Sequence, residues 1–145
     1  GLVYKQIEND VKNSSFLNKH LFILDPLYGV IKPESTISQY RFDFTLKGPK
    51  QLFEKQIESI NNSFKEDIVV NLASKEFSQH ISSKRIIDFS FLNDDGSRLA
   101  NTYVKQTRGF LVNEICKNKI LHATSYTYSP ICIFRKPTAV CKRPI

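Results

Sequence analysis

One short run, Ile68-Val69-Val70-Asn71-Leu72, constrains the fold more than any other part of the sequence because it is almost continuously apolar. Such a run is typical of a central strand that is covered on both faces, as in a sheet with helices on each side. Residues 73–77 then turn the chain into a short helix that is predicted to end near Ile81. The pattern favours an α/β (mixed α+β) class: a single compact domain with a mixed β-sheet flanked by helices.

The other elements follow from apolar spacing and from residues that break regular structure. Helical spacing predicts helices from Ser14 or Ser15 through Asp25, from Pro49 to about Phe64, and from a cap at Thr107 to about Asn118. Strands are predicted over residues 40–46, 86–92, 98–105 and 131–134. An apolar loop is predicted over residues 27–33, and a hairpin turn over residues 94–96.

Basic residues are concentrated in the second half of the 145-residue chain. Residues 1–72 carry nine Lys/Arg and nine Asp/Glu, whereas residues 73–145 carry twelve and five, which accounts for the whole net charge of +7. This asymmetry favours a polyanionic partner such as nucleic acid. No stretch of 18 apolar residues is present, so no membrane partner is expected. The chain starts at Gly1 and lacks Met, so it is expected to be processed, a fragment or a short form.

Cysteine and histidine give no ligand pattern. Cys116, Cys132 and Cys141 are odd in number and widely spaced, and the three histidines show no zinc-ligand spacing beside them. Reduced thiols in a cytoplasmic protein, with no metal and no cofactor, are therefore expected. No acidic pair stands beside a nucleophile, so no catalytic residue is assigned and an enzyme is the less favoured interpretation.

The first candidate binding segment is the apolar loop and the residues just beyond it. Tyr28 and Gly29 lie in a loop where backbone amides can approach a ligand, while Lys32 and Arg41, next to Tyr40, could supply positive charge. Pro and Gly in an apolar loop are more often structural, so this motif alone is weak.

Two further candidates follow the central strand and precede the last predicted helix. Asn71 and Ser74 stand where a buried strand reaches the surface, which is where α/β sheets bind ligands; alternatively, Ser74 only caps a helix. If Thr107 is a cap, Lys105 and Arg108 lie at a helix N-terminus, an unfavourable place for cations unless they meet an anion. The alternative is a solvated basic turn.

Four segments, taken in order, resemble the YaaA-like peroxide stress protein family, whose members show LYG-x-LRP, PYR, NLAS-x-EYF and YAK-x-ARG. The corresponding segments here are Leu27-Tyr28-Gly29-Val30-Ile31-Lys32-Pro33, Gln39-Tyr40-Arg41, Asn71-Leu72-Ala73-Ser74 with Glu76-Phe77, and Tyr103-Val104-Lys105-Gln106-Thr107-Arg108-Gly109. The resemblance covers about residues 1–136, leaving residues 137–145 as a tail that is expected to be flexible. Family members have a longer N-terminal portion, so this chain resembles their C-terminal part.

The resemblance implies a cytoplasmic protein of the oxidative stress response that binds duplex DNA and helps limit free iron and DNA damage. It also implies a helix-hairpin-helix-like element, which would lie between Gly1 and Pro33. The basic excess lies elsewhere in the sequence. A DNA-binding element at the N-terminus and a basic excess in residues 73–145 are compatible if residues 28–32 fold against Lys105 and Arg108.

Three hypotheses remain at this point. In the first, the protein is not an enzyme and holds duplex DNA phosphates with Lys32, Arg41, Lys105 and Arg108 and with amides near Gly29. In the second, it is an enzyme or a small-ligand binder with a basic pocket for a phosphate- or carboxylate-bearing compound. That pocket would be formed by Tyr28, Tyr40, Arg41, Asn71, Ser74, Lys105 and Arg108. In the third, it is a partner-dependent remnant whose site needs the missing portion, and an exposed apolar edge would make it aggregate alone.

Overall fold

A computed structural model describes residues 2–40, 50–119 and 131–132. The chain forms a 3-10 turn (Tyr4–Gln6), α1 (Asn9–Lys12), α2 (Ser15–His20), β1 (Leu21–Asp25), β2 (Gly29–Ile31), α3 (Lys50–Ser63), β3 (Ile68–Asn71), α4 (Lys75–Ser78), β4 (Arg85–Asp88), α5 (Asn101–Asn118) and β5 (Ile131–Cys132). Among the described residues, no helix is long and apolar enough to cross a membrane.

The strands form one sheet in the order β2-β1-β5-β3-β4. Strands β1, β5, β3 and β4 are parallel, and β2 is the antiparallel edge strand next to β1. In β1, Leu21 and Phe22 pair with Ile131 and Cys132 of β5, which in turn pair with Val70 and Asn71 of β3. The mixed sheet with its flanking helices confirms the predicted fold class.

Each face of the sheet carries its own apolar layer. On one face, Val70 and Leu72 pack with Val112 and Ile115 of α5 and with apolar residues of the N-terminal segment. On the other face, Val69 packs with Ile60 and Phe64, which belong to α3 and the residue after it. Because successive residues of β3 are buried on opposite faces, the apolar run in the sequence is the central strand that it was predicted to be.

The predicted helix through Asp25 is wrong in its second half. Ser14 does cap α2, since its hydroxyl accepts a hydrogen bond from the Leu17 amide at 3.1 Å. The helix ends at His20, and residues 21–25 form β1. Here four successive apolar residues serve both layers of the core, which an extended strand allows and a helix with a single apolar stripe does not.

Two other predictions are wrong for related reasons. Residues 29–31, predicted as part of a loop, form β2 because Gly29 turns the chain back to pair with β1. The predicted strand over residues 98–105 is reduced to one bridge between Leu92 and Arg98 that closes the confirmed turn around Gly96, and α5 has already begun at Asn101. Strand β4 ends at Asp88, earlier than predicted. The predictions for residues 41–46 and 137–145 lie outside the described residues.

Candidate functional site

The carboxyl ends of β3 and β4 place two polar side chains next to each other. Asn71 and Asp88 are register partners at these ends, and the Asn71 amide donates to the Asp88 carboxylate at 2.6 Å. The Asn71 side-chain oxygen accepts from the Ala73 amide at 2.9 Å, which fixes the side chain as the chain leaves the sheet. Asn71 is therefore held at the strand end, where α/β sheets bind their ligands.

The connections that leave β3 and β4 also indicate a binding site at the carboxyl ends of these strands. After β3 the chain passes to the face on which Phe77 of α4 packs with Val69. After β4 it passes to the opposite face, where Val112 of α5 packs with Val70. Adjacent parallel strands whose outgoing connections go to opposite faces leave a crevice between them, and α/β proteins bind ligands in this crevice.

A recess of about 290 Å³ occupies the crevice. We call it the strand recess, and its polar and aromatic lining includes Asn71, Lys75, Asp88, Phe89, Phe91 and Arg108. It therefore combines two cations, one carboxylate and an aromatic wall within a single opening.

A second recess of about 350 Å³ lies beside the first and is lined by the N-terminal segment, by the start of α4 and by α5. We call it the terminal recess; its lining includes Val3, Tyr4, Ser74, Glu76, Lys105 and Arg108. Because Arg108 lines both recesses, its guanidinium stands at the boundary between them.

Arg108 is partly buried on α5. Its guanidinium carbon lies 5.9 Å from the centroid of the Phe91 ring, a cation–π distance. Burial lowers the pKa of Arg108 to about 10, so the side chain still carries its charge near pH 7. A cation with a reduced water shell binds an incoming anion more strongly than a fully hydrated one.

The basic residues of α5 do not lie at a helix N-terminus, as the sequence suggested. The helix begins at Asn101 after the cap residue Ala100, and Thr107 lies in its interior, buried, with its hydroxyl donating to the Tyr103 carbonyl at 3.2 Å. Thr107 as a cap is therefore wrong. Lys105 and Arg108 are three residues apart and share one helical face, which explains why both reach the terminal recess.

Ser74 occupies the cap position of α4 but does not cap it with its side chain. Its backbone is extended, and within the described residues its hydroxyl accepts no hydrogen bond from α4. Ser74 is therefore the cap residue of α4, as one of the two interpretations predicted, but without a hydrogen bond from its side chain. Ser74 lines the terminal recess together with Lys105 and Arg108.

Tyr28 and Tyr40 form a separate cluster around Asp25, at the carboxyl end of β1. The buried Asp25 carboxylate accepts from the amides of Leu27 at 2.8 Å and Tyr28 at 2.9 Å, and it also accepts from the Tyr40 hydroxyl. The two tyrosine rings meet edge to face, with centroids 5.8 Å apart. Burial, followed by the hydrogen bond and the charge of Asp25, raises the pKa of Tyr40 above its usual range.

The tyrosine cluster lies at the same edge of the sheet as the basic recesses. Asp25 ends β1, which is parallel to β3 and β4, and Asn71 and Asp88 end those two strands. Tyr4 lines the terminal recess, and its charge makes the last of the contributions that raise the pKa of Tyr40.

Gly29 and Lys32 contact neighbouring helices of the fold. Gly29 has a φ of +77°, and a Cβ there would lie 2.5 Å from the Gln56 side-chain oxygen of α3. The Lys32 ammonium donates to the carbonyls of Asn18 and Lys19 at the end of α2 and lies 3.7 Å from the centroid of the Phe22 ring. Burial lowers the pKa of Lys32.

The expected packing of residues 28–32 against Lys105 and Arg108 is therefore not found for Gly29 or Lys32, which contact α3 and α2 instead. Arg41 lies outside the described residues. Of the predicted site residues, the structure brings together Asn71, Ser74, Lys105 and Arg108. Asp25, Lys75 and Asp88 were missed. The turn sequence after Asp25 is a recognisable signal, whereas the strand predicted over residues 86–92 placed Asp88 inside a strand rather than at its end.

The fold and these recesses define an α/β protein with an open, basic cleft at the carboxyl edge of a largely parallel sheet. The chain belongs to the family described as Peroxide stress protein YaaA, which it matches over residues 1–127.

Relatives named UPF0246 protein support this membership. The chain is 32% identical over 133 residues to one from Fusobacterium nucleatum, covering 83% of this chain and 54% of the relative. It is 33% identical over 152 residues to one from Streptococcus sanguinis (90% and 62%), and 33% identical over 132 residues to one from Finegoldia magna (83% and 54%). The chain thus spans about half to three-fifths of the length of these relatives. No solved structure matches it.

Proposed function

We propose that this chain acts in the cytoplasmic response to peroxide stress by binding the phosphate backbone of duplex DNA, and that this binding helps limit DNA damage. The family to which it belongs is described as a peroxide stress protein, which supports the physiological part of the proposal. The resemblance extends the proposal to limiting free iron. The short helices α1 and α2, separated by Asn13 and Ser14, are the part of the chain that would form the helix-hairpin-helix-like element.

The observation that carries DNA binding is the grouping of cations at the carboxyl edge. Lys105 and Arg108 share a face of α5, and Lys75 of α4 lines the strand recess with Arg108. Lys75 and Lys105 are exposed. Long exposed cations around an open cleft suit phosphate contacts, which give affinity without reading base sequence.

A salt titration tests the proposal. A labelled duplex is titrated with the chain at several salt concentrations, alongside the double variant Lys105→Ala, Arg108→Ala. Each lost phosphate contact lowers the slope of log affinity against log salt by about 0.9, so the variant slope should be lower by roughly 2. The matched control is Lys84→Ala, Arg85→Ala, which removes two exposed cations at the opposite, amino-terminal end of β4. The control should keep the wild-type slope.

Two outcomes contradict DNA binding at this edge. One is the absence of binding at low salt, and the other is an equal loss of slope in the control and the double variant. Circular dichroism of each variant verifies that the fold is retained.

A second candidate function, binding of a small phosphate- or carboxylate-bearing ligand, is favoured by a specific observation. Arg108 is partly buried between two recesses, and Phe91 covers one side of its guanidinium. A partly buried cation is better placed for a compact anion that enters a recess than for a duplex that lies across the surface. Binding of inorganic phosphate that Arg108→Ala abolishes would support this function.

A further inference from the structure

We infer that the strand recess binds a nucleoside monophosphate, with its phosphate at Arg108 and Lys75 and its sugar hydroxyls at Asp88. The inference rests on the second candidate function, because it names the ligand class of the anion site at Arg108.

The first argument is the position of Asp88. Asp88 ends a parallel strand at the point where the outgoing connections change face, and an acidic residue at a strand end in such a crevice can hydrogen-bond ribose hydroxyls. Among the residues that the structure describes, the carboxylate accepts one hydrogen bond, from Asn71, on a single oxygen. Since a carboxylate can accept about four hydrogen bonds, Asp88 retains the capacity to accept from a diol. Asn71 holds the carboxylate in place.

The second argument is the combination of charges. Arg108 and Lys75 supply two positive charges beside the single negative charge of Asp88. A simple anion would be attracted by the cations and repelled by the carboxylate. A ligand that carries an anionic group at one end and neutral hydroxyl donors at the other matches both parts of the recess.

The aromatic residues and the volume of the strand recess also bear on the ligand. Phe89 and Phe91, one and three residues after β4, are among the lining residues; Phe91 is itself buried, so the apolar surface offered beside Asp88 is small. The volume of about 290 Å³ is just below the range of small-ligand pockets, which span roughly 300–1,000 Å³. The recess therefore has room for no more than one nucleotide and is too small for a dinucleotide.

Calorimetric titrations with adenosine monophosphate, its 2′,3′-dideoxy analogue and inorganic phosphate test the inference. The dideoxy analogue should bind at least about tenfold more weakly, because it lacks the hydroxyls that donate to Asp88. Asp88→Asn should reduce affinity for adenosine monophosphate to about that of the analogue and should not weaken phosphate binding. Asp94→Asn, an exposed carboxylate in the turn beyond β4, is the matched control and should bind like the wild type.

The outcomes separate this inference from the function on which it rests. If phosphate binds but the nucleotide and its dideoxy analogue bind equally, the anion site stands and the nucleotide inference is overturned. If Asp88→Asn retains full nucleotide affinity while its circular dichroism spectrum is unchanged, the assignment to the strand recess is overturned. If neither phosphate nor nucleotide binds at millimolar concentration, both are overturned.

Discussion

At the scale of single residues, Asn113 holds the N-terminal segment against the longest helix. It is 2% exposed on α5; its amide donates to the Gln6 carbonyl at 2.8 Å, and its side-chain oxygen accepts from the Glu8 amide at 3.0 Å. Glu8 also pairs with Lys117, one turn further along α5. Because Tyr4 precedes these contacts in the chain, they position one wall of the terminal recess.

Replacing Asn113 therefore tests how strongly this segment is held. Asn113→Ala leaves a carbonyl and an amide without their partner, and each loss costs about 1–3 kcal/mol. We expect the free energy of unfolding to fall by about 2–4 kcal/mol in urea denaturation. Asn118→Ala is the matched control, because Asn118 is exposed on the same helix and, among the described residues, its side chain bonds to the neighbouring Glu114. It should change stability by less than about 0.5 kcal/mol. If both substitutions lower the free energy of unfolding equally, the hydrogen bonds of Asn113 do not hold the N-terminal segment in place.

Some residues of the candidate site could be predicted from the sequence, and others could not. The small polar residues after the central strand and the two cations of α5 were predicted, because strand ends and clustered charge are local signals. The role of Lys32 was not predictable, since its partners are carbonyls more than ten residues away in α2. Asp88 was missed because its importance comes from pairing with Asn71 on another strand.

At the scale of elements, the position of α5 decides which side chains reach the cleft. The helix starts at Asn101, six residues before the predicted cap, and has 18 residues. Its Lys105–Arg108 face therefore points to the recesses from within a continuous helix. Ala100 at the cap position is extended and exposed, and it has no side-chain oxygen to accept from the first free amides.

A better cap should therefore stabilise the protein. We expect Ala100→Ser to raise the free energy of unfolding by about 0.5–1 kcal/mol, since a serine hydroxyl can accept from a first-turn amide. Ala100→Leu, which adds bulk without an acceptor, should bring no such gain. A thermal or urea unfolding series measures both. If serine and leucine behave alike, the helix does not begin where the structure places it.

Helix and strand assignments failed where one apolar run can serve either structure. Residues 21–24 are all apolar, so spacing cannot distinguish a buried helix from a strand, and only packing between α3 and α5 selects β1. Residues 98–105 were predicted as the returning strand of the hairpin around Gly96, but the pairing stops at the bridge between Leu92 and Arg98, and the helix begins at Asn101. In contrast, α3 and β3 were predicted correctly because length and breaker residues agree with apolar spacing.

At the scale of the whole molecule, the carboxyl edge of the sheet brings together residues that are distant in sequence. The N-terminal segment supplies Tyr4, α4 supplies Lys75, and α5 supplies Arg108, so the cleft exists only when all three are assembled. The opposite end of the sheet contains Lys84, whose ammonium is 2.8 Å from Glu66. Basic residues from the second half of the chain therefore lie at both ends of the sheet: Lys75, Lys105 and Arg108 line the recesses, and Lys84 and Arg85 lie at the opposite end of β4.

The central claim is that this edge binds duplex DNA, and a map of backbone amide NMR shifts tests it most directly. The isotope-labelled chain is titrated with a duplex at low salt, and shifts are recorded for every assigned amide. We predict that the largest changes cluster at Ser74, Lys75, Lys105 and Arg108 and disappear at high salt. Changes centred instead on Lys19 in α2 and on Lys32, which follows β2, would contradict DNA binding at this edge.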